Sequence, residues 1–381
     1  MKNRNLKSLP VLMHHLISND TSHNSVLPSV FEQQCKSLAE QGWFGAGLQE
    51  AEEFLINGTP LPEKSFLMTF DDGYLDNYVY AWPIMKKYGH KGVIFAVTDR
   101  LTEAHTDCAR KSPLAENLAR QTLDDVWNGR CSQENLPEID TLLHSDELGF
   151  TVRKDLFINW DEARLMDQSG VLCIAGHSLR HGSVFAGPEY SSFHQPGPVL
   201  RTFTNTEPST VWGMPNFERV PELANQAFIP SSELLEAISL LVPQEGKAAM
   251  EFFTESGNIA RLESLINNFG THLGTLESDA DMIRRIHGIM EGTQRALERE
   301  LGHKSRSFCW PWGVFNEEAR EQGLAAGFQV FYTTRLGINR PGRPLSVSRF
   351  KVKNRADSWL QGRLRIYSRP LLGSLYLKMR I

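Results

Sequence analysis

The sequence has no run approaching the roughly 18 consecutive apolar residues of a membrane-spanning helix. It also lacks the pattern of a secretory leader. The start, MKNRNLKSLPVLMHHL, is basic, but His14 and His15 cut short its apolar stretch from Leu9 to Met13. These two absences lead us to expect a cytoplasmic protein. Cysteine is scarce and odd in number: Cys35, Cys108, Cys131, Cys173 and Cys309 are widely spaced and form no CxxC pair. That usage fits a reducing compartment and argues against a cysteine-built zinc site. There is no fixed-period repeat and no low-complexity tract, and glycine and proline usage is ordinary, which excludes fibrous and disordered classes.

The chain has 381 residues, 41% of them hydrophobic, enough for a sizeable core. Its formal net charge of −5 is unevenly spread. From Arg335 to Ile381 there are twelve Lys or Arg and one acid, Asp357, so this tail carries +11 and residues 1–334 about −16. A basic tail on an acidic body suggests an anionic partner, although a solvated surface strand and helix would read the same way.

Short apolar runs alternate with helical patterns. Strands are expected at Pro10 to Leu16, Phe66 to Phe70, Gly92 to Val97, Val171 to Ala175, Ser307 to Trp310 and Gln329 to Tyr332. Helices are expected at Pro28 to Gln41, Asn77 to Tyr88, Trp160 to Ser169, Asp281 to Leu301 and Asn316 to Ala326. This alternation predicts an α/β fold with a parallel sheet, whose chemistry collects at the carboxyl ends of the strands. Two stretches break it. Residues 99–156 are polar and weakly periodic, and residues 182–280 carry loops and one clear helix, Ser231 to Leu241. Both read as insertions over the mouth of the sheet or barrel within a single domain, 1–381.

Four polar motifs follow apolar strands. In TFDDGY, Asp71 and Asp72 stand side by side after Phe66-Leu67-Met68. Like charges repel, and the end of a buried strand makes the pair costlier. In HSLRH, His177 and His181 are spaced i, i+4, so on a helical turn their imidazoles could converge on one metal. The glutamate of HExxH is missing, and alone the two histidines read equally well as a surface pair. Taken with TFDDGY, two histidines and one carboxylate make a three-ligand site with a position open for water, the composition of catalytic zinc. The second aspartate then remains as a base. In Phe308-Cys309-Trp310-Pro311-Trp312-Gly313, a turn could present the Trp312 N–H to an oxyanion and rings to a sugar face, or could be a rigid core turn. One histidine of Met13-His14-His15 could protonate a leaving group, or be structural.

Together these motifs resemble the polysaccharide deacetylases, the NodB-homology or carbohydrate esterase family four group. TFDDGY is similar to the family's first motif and HSLRH to its second. The resemblance covers roughly residues 9–98, 157–182 and 281–350 and leaves out the two insertions. It implies a deformed (β/α) barrel and a divalent metal, usually zinc. Carried over, Asp71 is the general base, Asp72, His177 and His181 are the metal ligands, and Trp312 lends its N–H to the oxyanion. The reaction implied is hydrolysis of an N-acetyl amide on an amino sugar. Two departures stand out. Cys309 occupies the position where many members keep an arginine that holds the base, and Arg349, after the strand-like Leu345-Ser346-Val347, is the candidate substitute. No histidine follows residue 303 to act as the acid. A branch with rearranged motif order, which includes poly-N-acetylglucosamine deacetylases, places that acid after the first strand, and His15 is assigned the role.

Two other readings stand beside the sugar N-deacetylase. One is the same machinery acting on another amide, such as an N-formyl sugar or a cyclic imide. The other is a non-catalytic glycan-binding barrel. The expected substrate is an N-acetylated sugar of an envelope glycan or its lipid-linked precursor. The basic tail, with Trp359, Leu360, Tyr367, Leu371, Leu372, Tyr376 and Leu377 interleaved, could rest on an anionic leaflet, peripheral to the inner membrane. No nucleic-acid motif accompanies it, so nucleic acid is not an expected partner.

Overall fold

A computed structural model describes residues 5–18, 24–101, 157–196 and 211–379, together with the backbone of the strand pair 143–146 and 149–152. Most of the first expected insertion, 99–156, lies outside the described residues, as do Cys108, Cys131 and the last two residues of the basic tail.

Eight strands form one sheet: β1 (Val11–His14), β2 (Phe44–Gly45), β3 (Ser65–Asp72), β4 (Gly92–Ala96), β5 (Leu172–Gly176), β6 (Ser307–Cys309), β7 (Val330–Tyr332) and β8 (Phe350–Lys351). The order is β7-β6-β5-β4-β3-β1-β8, with β2 beside the start of β3, and every pairing is parallel. The expected parallel α/β fold is met. β3 reads SFLMTFDD with all eight residues buried, as a strand covered on both faces requires. The two ends of the sheet meet through one short segment. Val347 bonds to Phe331 and Thr333 beside β7 (2.7 and 2.9 Å), and three residues later Phe350 pairs with Leu12 of β1. This seam curls the sheet into a deformed barrel. The strand-like Leu345 to Val347 is instead a single helical turn, Pro344–Ser346, and only Val347 bridges to the sheet.

Helices cover the barrel where the sequence places them. Trp160–Gln168 begins with a reciprocal cap: Asn159 Oδ1 accepts from the Glu162 N–H, and the Glu162 carboxylate accepts from the Asn159 N–H, both at 2.9 Å. Asp279–Leu301 is capped by Ser278 and stopped by Gly302, and buries Ile286, Ile289, Met290 and Leu297. The expected helix from Asn77 to Tyr88 is divided. Its first turn, Asn77–Ala81, is wide enough that the Trp82 N–H reaches the Asn77 carbonyl five residues back, just before Pro83, which has no N–H to give.

The second insertion holds more structure than one helix. Ser183–Phe193, Pro215–Pro221, Phe228–Pro230 and Gly274–Leu276 form a four-stranded antiparallel sheet. Ser232–Leu241, Gly246–Thr254 and Ser256–Phe269 pack with it around Trp212, Phe217, Phe228, Leu234 and Ile266. The long strand SVFAGPEYSSF escapes a sequence reading because register shifts break its alternation and Gly and Pro interrupt it. Arg285 of the long helix ties this unit to the barrel, bonding the Glu222 and Asn225 carbonyls and the Glu277 carboxylate.

Candidate functional site

The site lies at the carboxyl ends of β1, β3, β5 and β6, closed on one side by the seam before β8. In a regular strand, Asp71 and Asp72 would point to opposite faces. Asp72 adopts φ 75°, which breaks the pleat, and both carboxylates come to lie beside His177. Four non-glycine residues among those described have positive φ: Asp72, Ser178, His181 and Trp312. All four are here. Such conformations cost about 1–3 kcal/mol each and concentrate where a site imposes them.

HSLRH is not a helical turn. It is an irregular loop held by the His181 N–H, which donates to Ser178 Oγ at 2.7 Å. With Ser178 and His181 both left-handed, the loop brings the imidazoles together by a different route from the one the i, i+4 spacing suggested. His177 Nδ1 donates to the Cys309 carbonyl at 2.8 Å, which leaves Nε2 with its lone pair facing Asp72. His177 Nε2 and His181 Nε2 lie 3.5 and 3.7 Å from Asp72 Oδ1.

These donors fit a divalent cation. Asp72 Oδ1 is buried without a hydrogen-bond partner. Ligands about 2.0–2.1 Å from a tetrahedral ion stand about 3.4 Å apart, close to the spacing seen. Burial, with the neighbouring Asp71 charge, pushes the Asp72 carboxyl up to about 7, a cost that a cation offsets. Burial holds His177 down to about 4 and His181 well below its ordinary value, so both imidazoles are neutral, as ligation requires. A second group, Asp71, His177 and Cys309, is as close together. It fits poorly: both Asp71 oxygens are engaged by Arg349, and burial pushes the Cys309 thiol far above the range in which it would be a thiolate.

Arg349, fully buried, meets Asp71 with two prongs, donates to Thr69 Oγ1 at 3.0 Å and to the Thr333 carbonyl at 2.9 Å, and lies 3.0 Å from Cys309 Sγ. The cysteine thus stands against the arginine whose place it holds in the sequence pattern. Burial alone would raise the Asp71 carboxyl; Arg349 and His177 outweigh it and hold it down to about 2. His15 Nε2 lies 4.0 Å from Asp71 Oδ2. His14 turns the other way, buried and stacked on Phe70 with ring centres 5.0 Å apart. Trp312 is 40% exposed and sets its ring 4.2 Å from that of His181. Gly313 permits this turn: at φ 74°, a Cβ would sit 2.6 Å from the Thr334 nitrogen. Trp310 is core, stacked on Phe331 and Phe315, so Trp312 alone of the pair is open to a ligand.

Sequence reasoning missed several contributors. Thr69 and Thr333 position Arg349, and Asn77 Nδ2 donates to the His15 carbonyl at 3.0 Å. Arg100, buried near Asp72, opposes the rise of that carboxyl. Thr69 and Asn77 flank the acidic pair, so proximity alone could have flagged them. Nothing in the sequence marks Arg100 or Thr333.

Residues 58–207 match the family model described as polysaccharide deacetylase. A 97-residue stretch is 40% identical to YxkH of Bacillus subtilis (strain 168), a protein named as a polysaccharide deacetylase, and 69 residues are 35% identical to the poly-β-1,6-N-acetyl-D-glucosamine N-deacetylase of Escherichia coli (strain K12). The matched parts cover 26% and 18% of this chain, and the chain spans only 34% and 10% of those two relatives. Among solved structures, the de-N-acetylase of Aggregatibacter actinomycetemcomitans aligns with TM-score 0.57 at 18% identity, over 93% of this chain and 99% of that one. The BpsB deacetylase domain of Bordetella bronchiseptica aligns with TM-score 0.55 at 17% identity, over 92% and 98%. The resemblance read from TFDDGY and HSLRH is therefore met by a family model over residues 58–207, and the fold is the deformed barrel of these deacetylases.

Proposed function

We propose that this chain is a metal-dependent hydrolase that removes the N-acetyl group from an amino sugar of a cell-envelope glycan or of its lipid-linked precursor. One observation carries the reading: Asp72, His177 and His181 converge beside an Asp71 whose charge Arg349 secures. Asp72, His177 and His181 would hold the ion, Zn(II) by the chemistry of a two-histidine, one-carboxylate set. When bound, such an ion supplies Lewis-acid polarisation of the acyl carbonyl and acidifies water.

The side chains supply the rest. Asp71, held anionic by Arg349, takes the proton of the attacking water. The Trp312 N–H donates to the developing oxyanion, and its exposed ring stacks on the sugar. His15, across Asp71, gives a proton to the departing nitrogen, so the C–N bond breaks to a free amine and acetate. Thr69, Thr333 and Cys309 surround the Arg349 guanidinium and fix its direction. The relation to a poly-N-acetylglucosamine deacetylase supports an N-acetylated sugar as substrate. The lipid linkage, and a position in the cytoplasm peripheral to the inner membrane, draw their support from the basic tail.

The test is acetate release from a panel of free and lipid-linked N-acetylated sugars, with and without chelator. Chelator-sensitive release is expected. Release of another acyl group in its place, or none from any sugar by metal-loaded protein, would overturn the reading.

A further inference from the structure

The basic tail ends in two helices, Asp357–Tyr367 and Pro370–Lys378. Most of the apolar residues interleaved along it are not available to a membrane. Leu360 and Tyr367 are buried, and Trp359, Tyr376 and Leu377 pack against the main core. Arg363 lies over the Tyr376 ring, 4.7 Å from its centre, and pins the last helix down. Gly373 lets that helix come close, since a Cβ there would lie 2.2 Å from Ile338 Cδ1.

The inward face of the last helix is therefore Gly373, Tyr376 and Leu377. At 100° per residue, the opposite arc holds Leu371, Leu375 and Met379, spaced i, i+4, i+8, with Leu372 at one edge and Ser374 and Lys378 at the other. These four apolar residues are 87%, 56%, 70% and 42% exposed in that order. An apolar stripe outermost on a helix whose other side is already packed is not explained by the fold. Arg369, which caps the start of this helix, and Lys378, in its last turn, are both exposed.

We infer that this face of Pro370–Lys378 docks on an anionic lipid bilayer, with the leucines entering the headgroup boundary and the surrounding cations facing lipid phosphates. The charge selects this occupant. The two closing helices, residues 357–378, carry four cations and one acid, so a second copy meeting the same face would bring like charges together, whereas an anionic leaflet attracts them. The inference deepens the proposed function, resting on it for the lipid-linked substrate, but the docking itself needs no catalysis.

The test is co-sedimentation of the whole chain with phosphatidylcholine vesicles, with and without about 30% phosphatidylglycerol, at low and high salt. Binding is expected only to the anionic vesicles and to weaken with salt. The L371S/L375S/M379S variant, exposed at all three positions and so expected to fold, should bind about tenfold less. Its acetate release from a soluble substrate should equal that of the parent. No sedimentation with anionic vesicles at low salt, or undiminished binding by the variant, overturns the inference. So does a parent dimer in sedimentation velocity that the variant abolishes while vesicles go unbound, which would assign the stripe to a second copy. A chain that binds vesicles yet releases no acetate from any sugar would overturn only the proposed function.

Discussion

Arg349 donates Nη1 to Asp71 Oδ1 at 2.6 Å and Nη2 to Asp71 Oδ2 at 2.8 Å, and both groups are buried. Removing one partner strands the other charge. Arg349→Ala should destabilise the fold by about 3–5 kcal/mol and abolish turnover. Combining it with Asp71→Asn should cost less than the two single changes summed, because neither charge is then left alone. Urea unfolding of the four proteins measures the difference; strictly additive costs would mean that the pair is not coupled.

Asp71→Asn alone keeps the shape of the base and removes its proton affinity. Turnover should fall by on the order of 10³ or more, with bound metal unchanged. Kinetics paired with elemental analysis decides this, and metal lost together with activity would move Asp71 into the ligand set.

His177→Ala, His181→Ala and Asp72→Ala should each lose the ion, and the parent should lose activity to a chelator and regain it with Zn(II). Full metal content in His177→Ala would refute the ligand assignment.

His15→Ala should lower turnover by roughly 10²–10⁴ with metal retained, the range for loss of a general acid. The deficit should shrink on an activated amide whose leaving group needs no proton. Unchanged turnover would remove His15 from the reaction.

Acid should weaken the fold through His14. Burial lowers its pKa from 6.5 to about 3. Below pH 6.5 the unfolded chain takes up a proton there that the folded chain refuses. Stability is therefore complete above that value and is lost as the pH falls, by about 1.4 kcal/mol per pH unit for this group. His14→Phe keeps a ring against Phe70 and should flatten the stability profile between about pH 6 and pH 4 by one proton. Denaturant unfolding across that window reads the slope.

The barrel was legible because parallel strands buried on both faces read as apolar runs, and the helices between them carry clear caps and stops. That Asp71, Asp72, His177 and His181 would converge was legible, since those residue types at strand ends have few other uses. The path of the HSLRH loop was not, because left-handed φ values at Ser178 and His181 leave no mark on residue type. The sheet within 182–280 was hidden by bulges and by half-buried strands that never form an apolar run. Arg349 could be guessed from the gap at Cys309, but its partners, Thr69 in β3 and Thr333 just past β7, come from segments far apart in the chain. In the tail, composition showed charge and grease but not which leucines the core had already claimed.

The seam that closes the barrel also sets an order in time. A ribosome makes Asp71 278 residues before Arg349, the arginine that neutralises it. At roughly 5–20 residues per second, that interval is on the order of tens of seconds. A nascent chain that has formed β1 to β7 has Arg100 near Asp72 but no guanidinium against Asp71. The last strand therefore completes the wall and the Asp71–Arg349 pair in one step, and a chain that stops short of it can have most of its fold but not that pair.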